Sequence, residues 1–230
     1  MNNMSEFIKA SDLYKTYKIG RTTIPVISGV DLSVEKGEWI ALLGASGSGK
    51  TTLLNLIGAL ERPDSGNISY NGRDYSSFGR RKIVQFRCAR IGFIFQAYHM
   101  FPELTVLENV LLPAMFNGSW EKKMKDRAGE LLESVGLGHR IKHRPNELSG
   151  GEQQRAAIAR ALINSPEFIL ADEPTGNLDS KTGSGILEIF QKLHGSSSAS
   201  TIIMVTHDRN VAKLATRTVE LIDGKICPSE

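Results

Sequence analysis

The segment Gly44-Ala45-Ser46-Gly47-Ser48-Gly49-Lys50-Thr51 has the spacing G-x-x-x-x-G-K-T. Its glycines let successive backbone N–H groups converge on an anion, and a helix starting near Gly49 aims its positive end at the same point. Lys50 adds a point charge suited to β- and γ-phosphates. Thr51, followed by Thr52, offers a hydroxyl to Mg²⁺. These residue types in this order bind a nucleoside triphosphate. Far downstream, Leu148-Ser149-Gly150-Gly151-Glu152-Gln153-Gln154-Arg155 puts a second glycine-bearing turn at a helix entrance. Ser149 can cap that helix, and the Gly150 and Gly151 amides would point at an anion. The chain therefore carries two phosphate sites or two halves of one, and the residues alone leave both open.

Three further positions carry chemistry. Phe168-Ile169-Leu170-Ala171-Asp172-Glu173 is an apolar strand ending in two carboxylates, and ligands sit at the C-terminal ends of parallel strands. Asp172 suits the shell of a Mg²⁺ ion, which keeps several waters. Glu173 suits a general base for the attacking water. Gln96 closes the short strand Ile91–Phe95 and can reach the metal or that water with its amide. His207 follows the buried strand Ile202–Thr206, where an imidazole can position groups around a γ-phosphate.

Positioning these residues requires particular elements. Trp39–Leu43 has no polar alternate and predicts a strand covered on both faces, running into the glycine-rich loop. Thr51–Leu60 predicts a helix with Leu53, Leu54, Ile57 and Leu60 on one face, broken at Pro63–Gly66. Val30–Val34 alternates as a half-exposed strand, Ile68–Gly72 reads as a hairpin arm, and Val219–Ile226 as a terminal hairpin turning at Asp223-Gly224. From Thr105 to Asn164 the pattern is mostly helical, with a charged block at Glu121–Arg127 and breaks at Gly136 and Pro145. Gly195–Ser200 reads as a flexible surface loop. The layout is an α/β core carrying a helical insertion.

Composition narrows the class. At 230 residues and 40% hydrophobic, the chain can bury a full core in one domain. A net charge of +3 requires no polyanionic partner. The densest basic stretch, Arg80, Arg81, Lys82, Arg87 and Arg90, reads as a solvated helix face without the interleaved aromatics of a single-strand-binding groove, so no nucleic-acid partner is expected. Cys88 and Cys227 fit no metal-ligand spacing, which implies free thiols. The start, MNNMSEFIKASD, lacks the apolar core of a signal peptide, and no window reaches the ~18 apolar residues of a membrane span. No direct membrane insertion is expected.

On these motifs, in this order, the chain resembles the ATP-binding cassette (ABC) ATPases from about Ile8 to Ile226. The resemblance implies a P-loop NTPase (RecA-like) core with N-terminal antiparallel β elements and an inserted α-helical subdomain. It implies one ATP-binding domain over 7–230, with its core at 7–96 and 166–227 and the helical subdomain at 97–165. It further implies that Tyr17 stacks on adenine, that Gln96 is the Q-loop glutamine and LSGGEQQR the signature. Asp172 and Glu173 would end the Walker B strand, Asn177-Leu178-Asp179 would form the D-loop, and His207 would be the switch histidine. With Glu173 present, an active, Mg²⁺-dependent ATPase is expected. In the family the signature of one protomer completes the P-loop site of another, so Ser149, Gly150, Gly151 and Gln153 are expected to act in trans in a homodimer, and Asp179 of the D-loop is expected among the nucleotide-binding residues.

A finer resemblance lies in Ile40–Gly58, Gly92–Gln96 and Leu104–Pro113, which look like the lipoprotein-releasing and macrolide-efflux group, and Tyr98–Pro102 points to the lipoprotein-releasing members. The resemblance implies a peripheral position on the cytoplasmic side of the inner membrane and integral permease subunits docking on the helical subdomain. Phe101, Leu104, Val106, Val110, Leu111, Leu112, Met115 and Phe116 are more apolar residues than a small lobe obviously needs, and Phe101 and Leu104 are candidates for a docking groove. The alternative is an energising subunit of a macrolide/peptide efflux or cell-division-type ABC complex, and a further class is the soluble ABC ATPases of translation, DNA repair or cofactor assembly. The second cassette of translation types and the long coiled coil of repair types are not found in this sequence.

Overall fold

A computed structural model describes residues 6–116, 122–195 and 200–227. The chain opens with an antiparallel hairpin, β1 (Ile8–Ile19) and β2 (Thr22–Val34). It then enters β3 (Trp39–Leu43), every residue of which is buried, as its unbroken apolar run predicts. The glycine-rich loop leads into α1 (Lys50–Ile57), which buries Leu53, Leu54, Leu56 and Ile57. The sequence reading carries this helix to Leu60; the structure ends it three residues earlier. Gly58 caps the helix, Ala59 turns to φ +53°, and Leu60 is left 42% exposed. The spacing of Leu60 continues the apolar face, but the left-handed turn takes the chain off the helix axis.

Next come β4 (Ser65–Tyr70) and β5 (Arg73–Asp74), joined through Asn71-Gly72, and then α2 (Arg80–Arg90). The four strands β2-β1-β4-β5 form one antiparallel sheet. No residue of α2 is buried, in keeping with a solvated basic face. That stretch does contain an aromatic, Phe86, contrary to the sequence reading. Its ring packs against Tyr70, Tyr75 and Phe78 rather than presenting a stacking platform.

The second sheet is built around β3. Its other strands are β6 (Ile91–Ile94), β7 (Phe168–Asp172), β8 (Thr201–Thr206), β9 (Arg217–Ile222) and β10 (Lys225–Cys227), in the order β10-β9-β3-β8-β7-β6. All neighbours from β9 to β6 are parallel, and β10 closes the edge as an antiparallel arm. This order gathers four strand ends at one edge of the sheet. The glycine-rich loop after β3, His207 after β8, Asp172 at the end of β7 and Gln96 just beyond β6 lie along it in that sequence.

Between β6 and β7 the chain makes α3 (Val106–Phe116), α4 (Lys122–Ser134) and α5 (Gly150–Leu162). Their facing residues, among them Val106, Val110, Leu111, Ala128, Leu132 and Ala159, bury a cluster of their own. α5 serves two cores, because Ile158 and Ala161 pack with the sheet residues Ile94, Ile169 and Met204. The helix α6 (Ser180–His194) contributes Ile186 and Phe190 to that same layer, and the short α7 (Arg209–Ala212) follows β8. Gly136 and Pro145 break the helices as predicted. The start of the charged block, Glu121, and residues 196–199 of the serine-rich loop lie outside the described residues.

Candidate active site

The loop from Gly44 to Gly49 wraps the start of α1, and its conformation demands glycine at two places. Gly49, the helix N-cap, has φ +102°, and a Cβ there would lie 2.6 Å from Val26 O. A Cβ at Gly44 would lie 2.3 Å from Leu221 O. Both contacts are with backbone, which cannot swing aside. Lys50 is 5% exposed and donates to Gly44 O at 2.9 Å and Ala45 O at 2.8 Å, so its ammonium is held inside the curve of the loop. Loop amides and this ammonium together form an electropositive cradle.

A cavity of about 440 Å³ opens from this cradle. It is lined by Tyr17, Val26, Ser46, Gly47, Gly49, Lys50, Thr51, Thr52, Gln96, Asp172 and Glu173. Residues widely separated in the chain thus meet in one volume because parallel strands deliver their C-terminal ends together. Val26, on β2, escapes a sequence reading because nothing marks one valine of a strand as a ligand contact.

At the floor, Thr51 Oγ1 lies 3.2 Å from Asp172 Oδ1. Burial raises the Asp172 carboxyl above its ordinary value, with the Glu173 charge acting in the same direction and Thr51 and Lys50 opposing it. A half-buried carboxylate beside a hydroxyl is a hard-oxygen donor set that fits Mg²⁺. No group of three or more His, Cys, Asp or Glu side chains suited to a metal occurs among the described residues. Phosphate oxygens and water would supply the remaining ligands.

Glu173 takes an unusual backbone conformation, φ +43°, fixed by its N–H donating to Val205 O at 3.0 Å. Strain of this kind persists only where the surroundings over-determine it. Its Oε2 lies 3.1 Å from His207 Nδ1, so an Nδ1–H donates to the carboxylate and sets its direction. Glu173 also borders a second cavity of about 140 Å³ with His207, Thr175, Gly176, Thr206 and Asp208. Gln96 is locked to Asn177: its Nε2 donates to Asn177 Oδ1 at 3.2 Å, and Asn177 Nδ2 donates to Gln96 O at 3.1 Å.

The second glycine-bearing turn is built as a capped helix entrance. Ser149 caps α5, its N–H donates to Glu152 Oε2 at 2.8 Å, and its Oγ accepts from Glu152 N at 3.3 Å. Bonds from Ser149 and the nearby Arg140 hold the Glu152 carboxyl below its ordinary value. Gly151 packs α5 on α6, where a Cβ would meet Thr182 Cγ2 at 2.2 Å. Asp179 caps α6 through Lys181 N and Thr182 N. Gln153 turns its Nε2 back to Leu148 O at 3.2 Å, whereas Glu152, which the sequence reading leaves aside, occupies the cap itself. None of Ser149, Gly150, Gly151, Gln153 and Asp179 lines the 440 Å³ cavity.

The family model described as ABC transporter matches residues 27–176, which spans the glycine-rich loop, Gln96, the second turn, Asp172 and Glu173. The chain belongs to the ABC transporter family. It is similar to an uncharacterized ABC transporter ATP-binding protein of Thermotoga maritima, 49% identical over 97% of this chain and 94% of that protein. The lipoprotein-releasing system ATP-binding protein LolD of Geobacter metallireducens is 47% identical over 97% of this chain and 99% of its own length. The macrolide export ATP-binding/permease protein MacB of a Shewanella species is 46% identical over 97% of this chain but only 34% of its own length. Among solved structures, a dimer of the ABC transporter cassette MJ0796 superposes with a TM-score of 0.90 at 42% identity, covering 97% of both chains. A post-hydrolysis dimer of that cassette bound to ADP and Pi gives 0.89 at 41% identity, with the same coverage. This ABC ATPase is therefore an ATP-binding, ATP-hydrolysing transporter subunit of the group that holds the lipoprotein-releasing and macrolide-export cassettes. No helix among its described residues is long and apolar enough to cross a membrane.

Proposed function

We propose that this ABC ATPase works as a head-to-tail homodimer that drives a membrane permease for lipoprotein release from the inner membrane. The observation that carries the dimer is the separation within one chain of two phosphate-binding halves: the cradle at Gly44–Thr51 and the capped turn at Ser149–Gly151 do not share a cavity. A second copy, contributing Ser149, Gly150 and Gly151 with Asp179 nearby, would close the 440 Å³ cavity over ATP, and the dimeric cassettes at 41% and 42% identity support this arrangement.

In the closed site, Tyr17 stacks on the base and Lys50 with the loop amides binds the β- and γ-phosphates. Thr51 and Asp172, with Gln96 beside them, would hold Mg²⁺, which when bound neutralises phosphate charge. Glu173, oriented by His207, takes the proton of the attacking water. Lys50 and the amides of Gly150 and Gly151 from the second copy stabilise charge on the transferring phosphoryl group. Hydrolysis and phosphate loss then reopen the dimer.

The permease docks on the helical layer from the cytoplasmic side, leaving the ATPase peripheral to the membrane. Val106, Val110 and Leu111 are buried within the lobe, but Phe101, Met115 and Phe116 are 55%, 50% and 79% exposed. An apolar groove of about 320 Å³ is lined by Leu60, Phe93, Phe95, His99, Pro113 and Arg160 among others, and neither Phe101 nor Leu104 is part of its lining. The lipoprotein reading draws on the relatives of that name, matched over 99% and 91% of their length. A macrolide-efflux role is the second reading, favoured by the 46% identity to the Shewanella protein.

Mixing Lys50→Ala chains with Ser149→Arg chains tests the shared site: heterodimers should regain one working site and measurable hydrolysis. Heterodimers verified by mass that stay inactive would argue against it. Vesicles holding the ATPase with a candidate permease separate the two cargo readings, by release of a lipoprotein on ATP addition or by macrolide-stimulated hydrolysis.

A further inference from the structure

Tyr17 lies toward the end of β1 at a half-exposed position, where a tyrosine ring would normally sample several rotamers. Instead its hydroxyl donates to Glu61 Oε2 at 2.6 Å. The other carboxylate oxygen, Oε1, accepts from Asn55 Nδ2 at 3.3 Å, and Asn55 belongs to α1, the helix that begins at Lys50. Lys15 supplies the compensating charge, 3.9 Å from Glu61 Oε2 and 3.5 Å from Asp64 Oδ1, and its ammonium sits 5.6 Å from the centre of the Tyr17 ring. Asp64 in turn accepts from Thr16 N at 2.7 Å and Thr16 Oγ1 at 2.8 Å. Both acids of the loop after α1 are therefore bonded to β1 beside Tyr17. The turn itself is closed by backbone, Leu60 N donating to Asn55 O at 2.9 Å, so the Glu61–Tyr17 bond is not needed to form it.

We propose that Glu61 is a positioning residue for nucleotide binding: it ties the base-stacking ring of Tyr17 to the phosphate-binding helix and holds the two subsites at a set spacing. The inference rests on the reading of Tyr17 as the stacking residue. A ring already fixed in its plane loses no rotamer freedom when the base arrives, so the carboxylate contributes affinity without touching the nucleotide. A charge-assisted O–H···O⁻ bond of this length is among the stronger single restraints available.

The test compares KM and kcat for ATP with the inhibition constant of tripolyphosphate, which fills the phosphate subsite alone. Glu61→Ala and Tyr17→Phe should each raise KM about threefold to tenfold with kcat unchanged. Tripolyphosphate inhibition should not move in either. The double variant should show no further rise, because both changes remove one bond. Glu61→Gln, which keeps an acceptor oxygen for the phenol, should recover most of the affinity. A rise in the tripolyphosphate constant alongside KM would mean that the loop had collapsed, and additive effects would mean that Glu61 acts elsewhere; either overturns the proposal. Tyr17→Ala separates the two levels. If it leaves KM unchanged, the stacking reading itself fails. If it raises KM while Glu61→Ala and Tyr17→Phe do not, only the positioning role fails. Should Glu61→Ala not fold, Tyr17→Phe carries the same comparison.

Discussion

Replacing Gly49 by alanine should cost more stability than replacing Gly47, by an amount set by one contact. Both glycines have positive φ, +102° and +81°. A Cβ at Gly47 would meet nothing within 4 Å, whereas at Gly49 it would lie 2.6 Å from Val26 O and 3.0 Å from Ile27 Cδ1. Left-handed backbone costs an L-residue about 1–2 kcal/mol. The narrower unfolded ensemble of alanine returns about 0.4–1 kcal/mol. Gly47→Ala should therefore lose about 1 kcal/mol. Gly49→Ala adds a backbone clash of the overpacking kind, about 1–3 kcal/mol, for a total of about 3 kcal/mol. In a chain of this size each kcal/mol lowers Tm by about 2–4 °C. Calorimetric unfolding without nucleotide should thus show losses of about 2–4 °C for Gly47→Ala and about 6–12 °C for Gly49→Ala. Because Gly49 caps α1, relief of the clash shifts the first turn and with it Lys50 and Thr51. ATP affinity of Gly49→Ala should fall by about tenfold or more, equivalent to about 1.4 kcal/mol. Equal Tm losses in the two variants would refute the argument, since they would show that the β2 backbone yields without cost.

Three other outcomes follow, two from the site and one from the loop before α3. Asp172 has its carboxyl raised above the ordinary 3.8, so the folded state binds its proton more tightly than the unfolded chain and stability falls as pH rises through the window above that value. Asp172→Asn should accordingly raise Tm at pH 7 without nucleotide and flatten the pH dependence in that window, while losing Mg²⁺-dependent hydrolysis; a lower Tm would count against a half-buried, disfavoured charge. Glu173→Gln should retain ATP binding, accumulate an ATP-bound dimer by light scattering and lose about 10²- to 10⁴-fold in turnover, and unimpaired turnover would sink the base assignment. Arg160, whose guanidinium burial pushes down to about 10, donates to the carbonyls of Tyr98 and His99, both at positive φ. Arg160→Met should lower unfolding free energy in urea by about 2 kcal/mol, and a change within about 0.5 kcal/mol would show those bonds to be dispensable.

How much was legible varied with the range of the signal. The strands β3, β7 and β8 could be read from their unbroken apolar runs, since a strand covered on both faces leaves no room for a polar alternate. Gln96, Asp172 and His207 could be read because each follows such a run directly. The end of α1 was not legible: Leu60 keeps the helical spacing, and only the turn at Ala59 shows that the chain has left the axis. Phe86 is visible in the basic run, but that its ring packs inward cannot be read there, because its partners Tyr70 and Tyr75 are supplied by other elements. Glu61 gave no signal, being one acid in a polar turn, and its meeting with Tyr17 depends on how β1 lies against the loop after α1.

By itself the sequence determined the chemistry available: a glycine-rich phosphate cradle, a carboxylate suited to Mg²⁺, a second carboxylate suited to act as a base, and a second helix entrance able to face an anion. These are local properties, because a glycine-rich turn before a helix or an acid after a buried strand carries its meaning within a few residues. Only the tertiary structure decided which of them act together. Parallel pairing of β3, β8, β7 and β6 brings the cradle, His207, Glu173 and Gln96 to one edge, while the capped turn at Ser149 remains outside the cavity lined by the cradle, Gln96, Asp172 and Glu173. The positive φ of Glu173 and the Glu61–Tyr17 bond belong to the same class of fact. Each is set by groups distant in the chain, through hydrogen bonds and packing that exist only once the sheet and its covering layers have formed.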